Sequence, residues 1–165
     1  MVKTVSPPTF RYICFDHLDT RLYKGEGSLS LVAYYPYAMA TFSPRIENAT
    51  HGSVNNAGDL PAEIRTYFST ESLPAEIALH DLKGKLLGKL TFYEFSADDL
   101  EDGDSYLVID SKTHLVEGLN ADFKKTGHLY NKYIKSGDFF DAPVGVSNFS
   151  SATTFYKMEY TPLYY

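Results

Sequence analysis

No stretch of eleven or more residues in this chain carries an apolar stripe at helical spacing, whereas two-residue alternation recurs along it. At 28–33, Ser28 and Ser30 point one way and Leu29, Leu31 and Ala33 the other, the pattern of a strand buried on one face. Near the C-terminus, alternation over 153–160 predicts Tyr156, Met158 and Tyr160 on one face and Phe155, Lys157 and Glu159 on the other. The 14 Tyr and 11 Phe among 165 residues, with no Trp, suit a pleated, half-buried surface better than a helix. The fold class is therefore all-β. Many short strands separated by turn signals point to an antiparallel sandwich or barrel.

The order of elements follows from the punctuation. Residues 10–15, 21–24 and 28–33 are predicted as extended, with a bend at Gly25 and Gly27, and together form an N-terminal β-hairpin segment over 1–42. Residues 43–61 are rich in Ser, Asn, Gly and Pro and are read as a linker or long loop. The second unit, 43–165, then holds strands at 62–68, 75–80, 86–95, 105–109, 114–117, 129–134 and 153–160. Turns are expected at Lys83-Gly84 and at Asp110-Ser111-Lys112-Thr113, and an acidic loop at 98–104.

Charge and chemistry narrow the function classes. With 15 Lys and Arg against 21 Asp and Glu, the net charge of −6 supplies no basic face for nucleic acid or an anionic membrane. No apolar run reaches the roughly 18 residues of a membrane span, and the N-terminus lacks the apolar stretch of a secretory signal. The expectation is a soluble, disulfide-free protein made in a reducing compartment. Cys14, between Ile13 and Phe15, reads as a small buried hydrophobe rather than a nucleophile. His17, His51, His80, His114 and His128 never fall at metal-ligand spacing. Asp98, Asp99, Asp102 and Asp104 could offer oxygens to calcium, but their order does not match a calcium loop, and a solvated turn is the better reading. No catalytic residues, no metal and no cofactor are expected, and the chain is read as not an enzyme.

Aromatic clusters supply the candidate binding residues. Tyr34, Tyr35, Pro36 and Tyr37, with Tyr164 and Tyr165 at the other terminus, are candidates for a protein interface, where rings bury much area. Asp138, Phe139 and Phe140 are candidates for sugar contact, since a ring covers the apolar face of a pyranose beside polar groups. Rings that plug the core or a protein contact are the weightier reading of all of these.

Four ordered motifs carry a family resemblance. They are Arg21-Leu22-Tyr23-Lys24-Gly25-Glu26-Gly27 leading to Tyr34-Tyr35-Pro36-Tyr37-Ala38, then Asn56-Ala57-Gly58-Asp59-Leu60-Pro61, then Ile109-Asp110-Ser111-Lys112-Thr113, and Ser136-Gly137-Asp138-Phe139-Phe140 with Pro143-Val144-Gly145. In this order the chain resembles the distal tail (Dit) proteins of long-tailed phages of Gram-positive bacteria. The resemblance implies the end of a ring-forming N-terminal domain over 1–42 and an antiparallel galectin-like β-sandwich over 43–165. It also implies a non-enzymatic structural component of a phage or prophage tail tip or baseplate, located in the virion and made in the bacterial cytoplasm. Its partners would be tail-tube and tail-tip proteins, further copies of itself in a ring, and host-binding components. The alternative is a carbohydrate-binding module recognising host cell-wall glycan.

Overall fold

A computed structural model describes residues 38–39 and 43–164. The expected strands at 10–15, 21–24 and 28–33, Cys14, His17, Tyr34, Tyr35, Pro36, Tyr37 and Tyr165 lie outside the described residues. Within them the chain is all-β: β1 (Ala38–Met39), β2 (Arg45–Asn56), β3 (Leu60–Ser69), β4 (Glu76–Asp81), β5 (Leu86–Phe92), β6 (Tyr106–Asp110), β7 (Leu115–Leu119), β8 (Lys125–Leu129), β9 (Ile134–Gly137) and β10 (Gly145–Tyr164). Every pairing is antiparallel, and the strands join in one sheet of order β8-β7-β6-β3-β10-β4-β5-β9, with β1 and β2 on the free side of β10.

The 20-residue strand β10 organises the molecule. Its first part, Ser147 to Ser151, pairs with β4, and its second, from Lys157 on, pairs with β3. The same strand therefore belongs to two wings. Between them its register against β2 slips, from Ser150↔His51 to Phe155↔Ala49. Just beyond the slip, between the pairs Ala49↔Phe155 and Glu47↔Lys157, Asn48 adopts a left-handed φ of 50°, a conformation Asn tolerates better than most residues because its short side chain can bond locally. Extra residues in one strand of a ladder bend it and sharpen its twist, and the bend folds one wing over the other.

The core lies between the wings. β3, β6 and β7 contribute Ile64, Phe68, Leu107, Ile109 and Val116; β4 and β5 contribute Ile77, Leu79, Leu90 and Phe92; β10 contributes Phe149, Phe155, Met158 and Tyr160 to the same cluster. A cavity of only about 10 Å³ remains, lined by Ile64 and Ile109 from one wing, Ile77 and Leu90 from the other, and closed by Phe139 and Phe140. The curl also brings the sheet's two end strands together. β8 and β9 stand at opposite ends of the strand order, yet only residues 130–133 separate them, a link that spans about 17 Å at most.

Three expectations are corrected. Residues 43–61 are not a linker: β2 runs through 45–56 and pairs with β10 almost end to end. Its sequence hides this because its core-facing positions include Gly52 and Asn56 as well as Ile46 and Val54, so apolar alternation is faint. Residues 129–134 are not one strand, because the chain turns at Asn131–Tyr133, where the Asn131 side chain accepts from Val116 N and donates to His114 O. The last strand begins at Gly145, not 153, and its alternation breaks: Phe155 and Met158 are both fully buried, so Tyr156 and Lys157 together stand outside. The β6–β7 hairpin and the turn at Lys83-Gly84, with Gly84 at φ 82°, fall where the residues placed them.

Candidate functional site

Residues paired across a ladder share a face, which fixes what the β3–β6–β7 wing shows to solvent. Tyr67 pairs with Val108 and with Lys157, Ser69 with Tyr106, and Tyr106 with Leu119. Thr66, Phe68, Leu107 and Ile109 occupy the opposite, core face. The outer face therefore gathers Tyr67, Val108 and Leu119 into a second small apolar cluster, with Tyr106 packed against it. Tyr156, displaced outward by the break in β10, tilts against Tyr106 at 5.2 Å.

Phe123 completes this aromatic platform. It lies in the tight β7–β8 turn, which the Asn120 side chain organises by accepting from the backbone N–H groups of Asp122 and Lys124 at 3.0 Å each. The turn holds Phe123 at φ 59°, a region in which a bulky L-residue is strained by roughly 1–2 kcal/mol. From there its ring stacks on Tyr106 at 4.3 Å and on Tyr156 at 5.4 Å, and meets Tyr67 edge-on at 6.2 Å. Phe123 and Tyr156 remain 37% and 39% exposed. Lys157 Nζ sits 4.1 Å from the Tyr67 ring centre and 3.2 Å from Glu159 Oε2, while Tyr67 donates to Glu159 Oε1 at 2.7 Å. Burial, and then the bond to Glu159, push the Tyr67 hydroxyl well above its ordinary range. The face is thus apolar and aromatic, with Lys157 and Glu159 paired to each other at its edge.

Below the platform the acidic segment resolves into separate roles. Asp99 caps the short turn Ala97–Asp99 by accepting from Ser96 N and Oγ, and these bonds hold its carboxyl below its usual range. Asp104 turns inward. Its side chain is wholly buried and accepts from the Tyr130 hydroxyl and from Thr126 Oγ1 at 2.6 Å, with His128 Nδ1 at 3.2 Å. Gly118 makes room, since a Cβ there would stand on the Asp104 carboxylate. Among the described residues no group of three or more His, Cys, Asp or Glu could hold a metal ion, and no helix is long and apolar enough to cross a membrane.

The other residues singled out in the sequence are placed as follows. Phe139 and Phe140 are half-buried and packed on the core, Phe139 stacked flat on His114 at 5.2 Å, while Asp138 is exposed beside them. Tyr164 ends β10 opposite Ala38 and is half-buried. The motif residues secure turns. Asn56 donates to Leu60 O and Ala142 O and accepts from Gly58 N, and a Cβ on Gly58 would meet Leu163 O. Ser111 Oγ accepts from Ile64 N and donates to Asp141 at 2.6 Å, and Asp110 accepts from Arg65 Nε at 2.8 Å. Gly137, at φ 93°, lies against the Lys89 carbonyl. Sequence reasoning did not single out Tyr106 or Phe123, and it put Tyr156 on one face with Met158 and Tyr160, whereas Met158 and Tyr160 are buried and Tyr156 is exposed. The available signal was an aromatic, Phe123, directly after the turn-forming run Asn120-Ala121-Asp122. No family model matches the chain, and no curated protein matches it.

Proposed function

We propose that this chain is a non-enzymatic structural component of a phage or prophage tail tip or baseplate, a distal-tail-type protein whose galectin-like sandwich docks tail-tube, tip or host-binding proteins. The four ordered motifs support the family reading, and the motif residues described above act as turn locks and close-approach glycines, as a scaffold requires. The observation that carries the docking role is Phe123, a ring held on the outer face in a conformation that costs stability. Strain of that kind persists where the surface, rather than the core, needs the side chain. Clustered Tyr and Phe on a rigid sheet are the composition of protein-interface hot spots, and the three rings use much of their faces on one another, which suits a protein partner better than a stacked sugar.

Size-exclusion chromatography with light scattering, of the chain mixed with tail-tube and tail-tip proteins of one phage, tests this. Co-elution with at least one of them is expected. Phe123→Gly relieves the backbone while removing the ring, so it should fold with stability within about 1 kcal/mol of the parent yet bind at least about tenfold more weakly. A chain that stays monomeric in the presence of both proteins overturns the reading.

A further inference from the structure

The second wing carries a different surface. His51 pairs with Ser150, and Asn148 pairs with both Ser53 and His80. These residues therefore project from the side of the sheet opposite Phe149, which is fully buried. His51, His80, Asp81, Leu82, Asn148 and Ser150 line an open concavity of about 410 Å³, within the roughly 300–1,000 Å³ of small-molecule sites.

We propose that this concavity binds a neutral saccharide. Its polar lining is an amide, two imidazoles and a hydroxyl, each able to donate and accept as sugar hydroxyls do. Among the described residues, His80, Asn148 and Ser150 make no side-chain hydrogen bond, and His51 commits only Nδ1, to Thr50 Oγ1 at 2.8 Å. Among the described residues the lining contains no Lys or Arg to fix a phosphate or carboxylate, and its one aromatic side chain, Phe149, is fully buried on the core side, where no base could stack on it. Asp81 helps to build the wall: its Oδ1 accepts from the N–H groups of Lys83 and Lys85 at 2.8 Å each, fastening the β4–β5 turn. Leu82, 68% exposed on that turn, offers the apolar contact that the C–H face of a pyranose needs. Gly84 beside it leaves open space, with nothing within 4 Å of a built Cβ. The site is independent of the aromatic platform, which lies on the other wing.

Heteronuclear NMR titration of the full chain with galactose, glucose, N-acetylglucosamine and rhamnose tests the proposal. At least one sugar should shift the amide signals of His51, His80, Leu82, Asn148 and Ser150, saturating at roughly millimolar concentration. His80→Ala and Asn148→Ala should each weaken that binding by about tenfold while leaving the rest of the spectrum in place, and Phe123→Gly should bind as the parent does. The proposal falls if none of the four sugars shifts these signals, if the shifts map to the platform, or if the double variant H80A/N148A still binds normally. Loss of protein capture in Phe123→Gly reports separately on the docking role.

Discussion

At the scale of single residues, the structure holds two local costs that mutation can read. Ser147 is fully buried on the core face of β10, and its hydroxyl is the one buried side-chain polar atom among the described residues without a hydrogen-bond partner. Burying an unpaired hydroxyl costs about 1–3 kcal/mol. Ser147→Ala should therefore stabilise the protein by about 1 kcal/mol, seen as a higher urea midpoint with an unchanged slope. Asn48 is the second. Its positive φ accommodates the corner where β2 follows the bend of β10. Asn48→Gly should be close to neutral, whereas Asn48→Val, β-branched in a left-handed conformation, should cost about 2 kcal/mol in the same measurement. Equal behaviour of the two variants would mean that the corner does not depend on this dihedral.

At the scale of elements, β8 is the most dependent strand. Among the described residues it pairs only with β7, through Glu117↔Leu129 and Leu119↔Lys125, with an irregular register between. Gly127 adopts φ 89° within it, and alternate residues are exposed. What fastens it is side-chain chemistry: Lys125 on Glu117, and Thr126 and His128 on the buried Asp104. Asp104→Ala leaves the buried Tyr130 hydroxyl without its acceptor and Thr126 with only the Gly118 carbonyl at 3.1 Å, so it should cost about 2–3 kcal/mol. Hydrogen exchange should show the Lys125–Leu129 amides opening first. Protection at β8 equal to that of the parent would show that the ladder alone holds the strand.

At the scale of the whole molecule, the same network sets a limit at alkaline pH. Burial, and then the bond to Asp104, push Tyr130 up to about 12 from an ordinary value near 10. The folded state thus keeps its proton more tightly than the unfolded chain, so the stabilisation is fully present below pH 10 and is lost as pH rises from 10 towards 12. Denaturation followed across that window should show stability falling, and Tyr130→Phe should flatten part of the fall. The all-β class and the hairpin around Asp110-Ser111-Lys112-Thr113 were legible because alternation and turn chemistry are local: side chains within a few residues carry the signal. The candidate surface was not, since Tyr106, Phe123 and Tyr156 lie far enough apart in sequence that only strand register gathers them, and the outward turn of Tyr156 follows from a break in alternation created by a change of partner strand. β2 was hidden for a related reason. A polar strand with Gly52 and Asn56 on its inner side has little pattern of its own and is extended because β10 offers it a ladder. Local sequence settled which segments prefer to be extended and where they turn; the pairing of distant backbones, whose hydrogen bonds are indifferent to side-chain identity, decided the curl, the shared core and both outer faces.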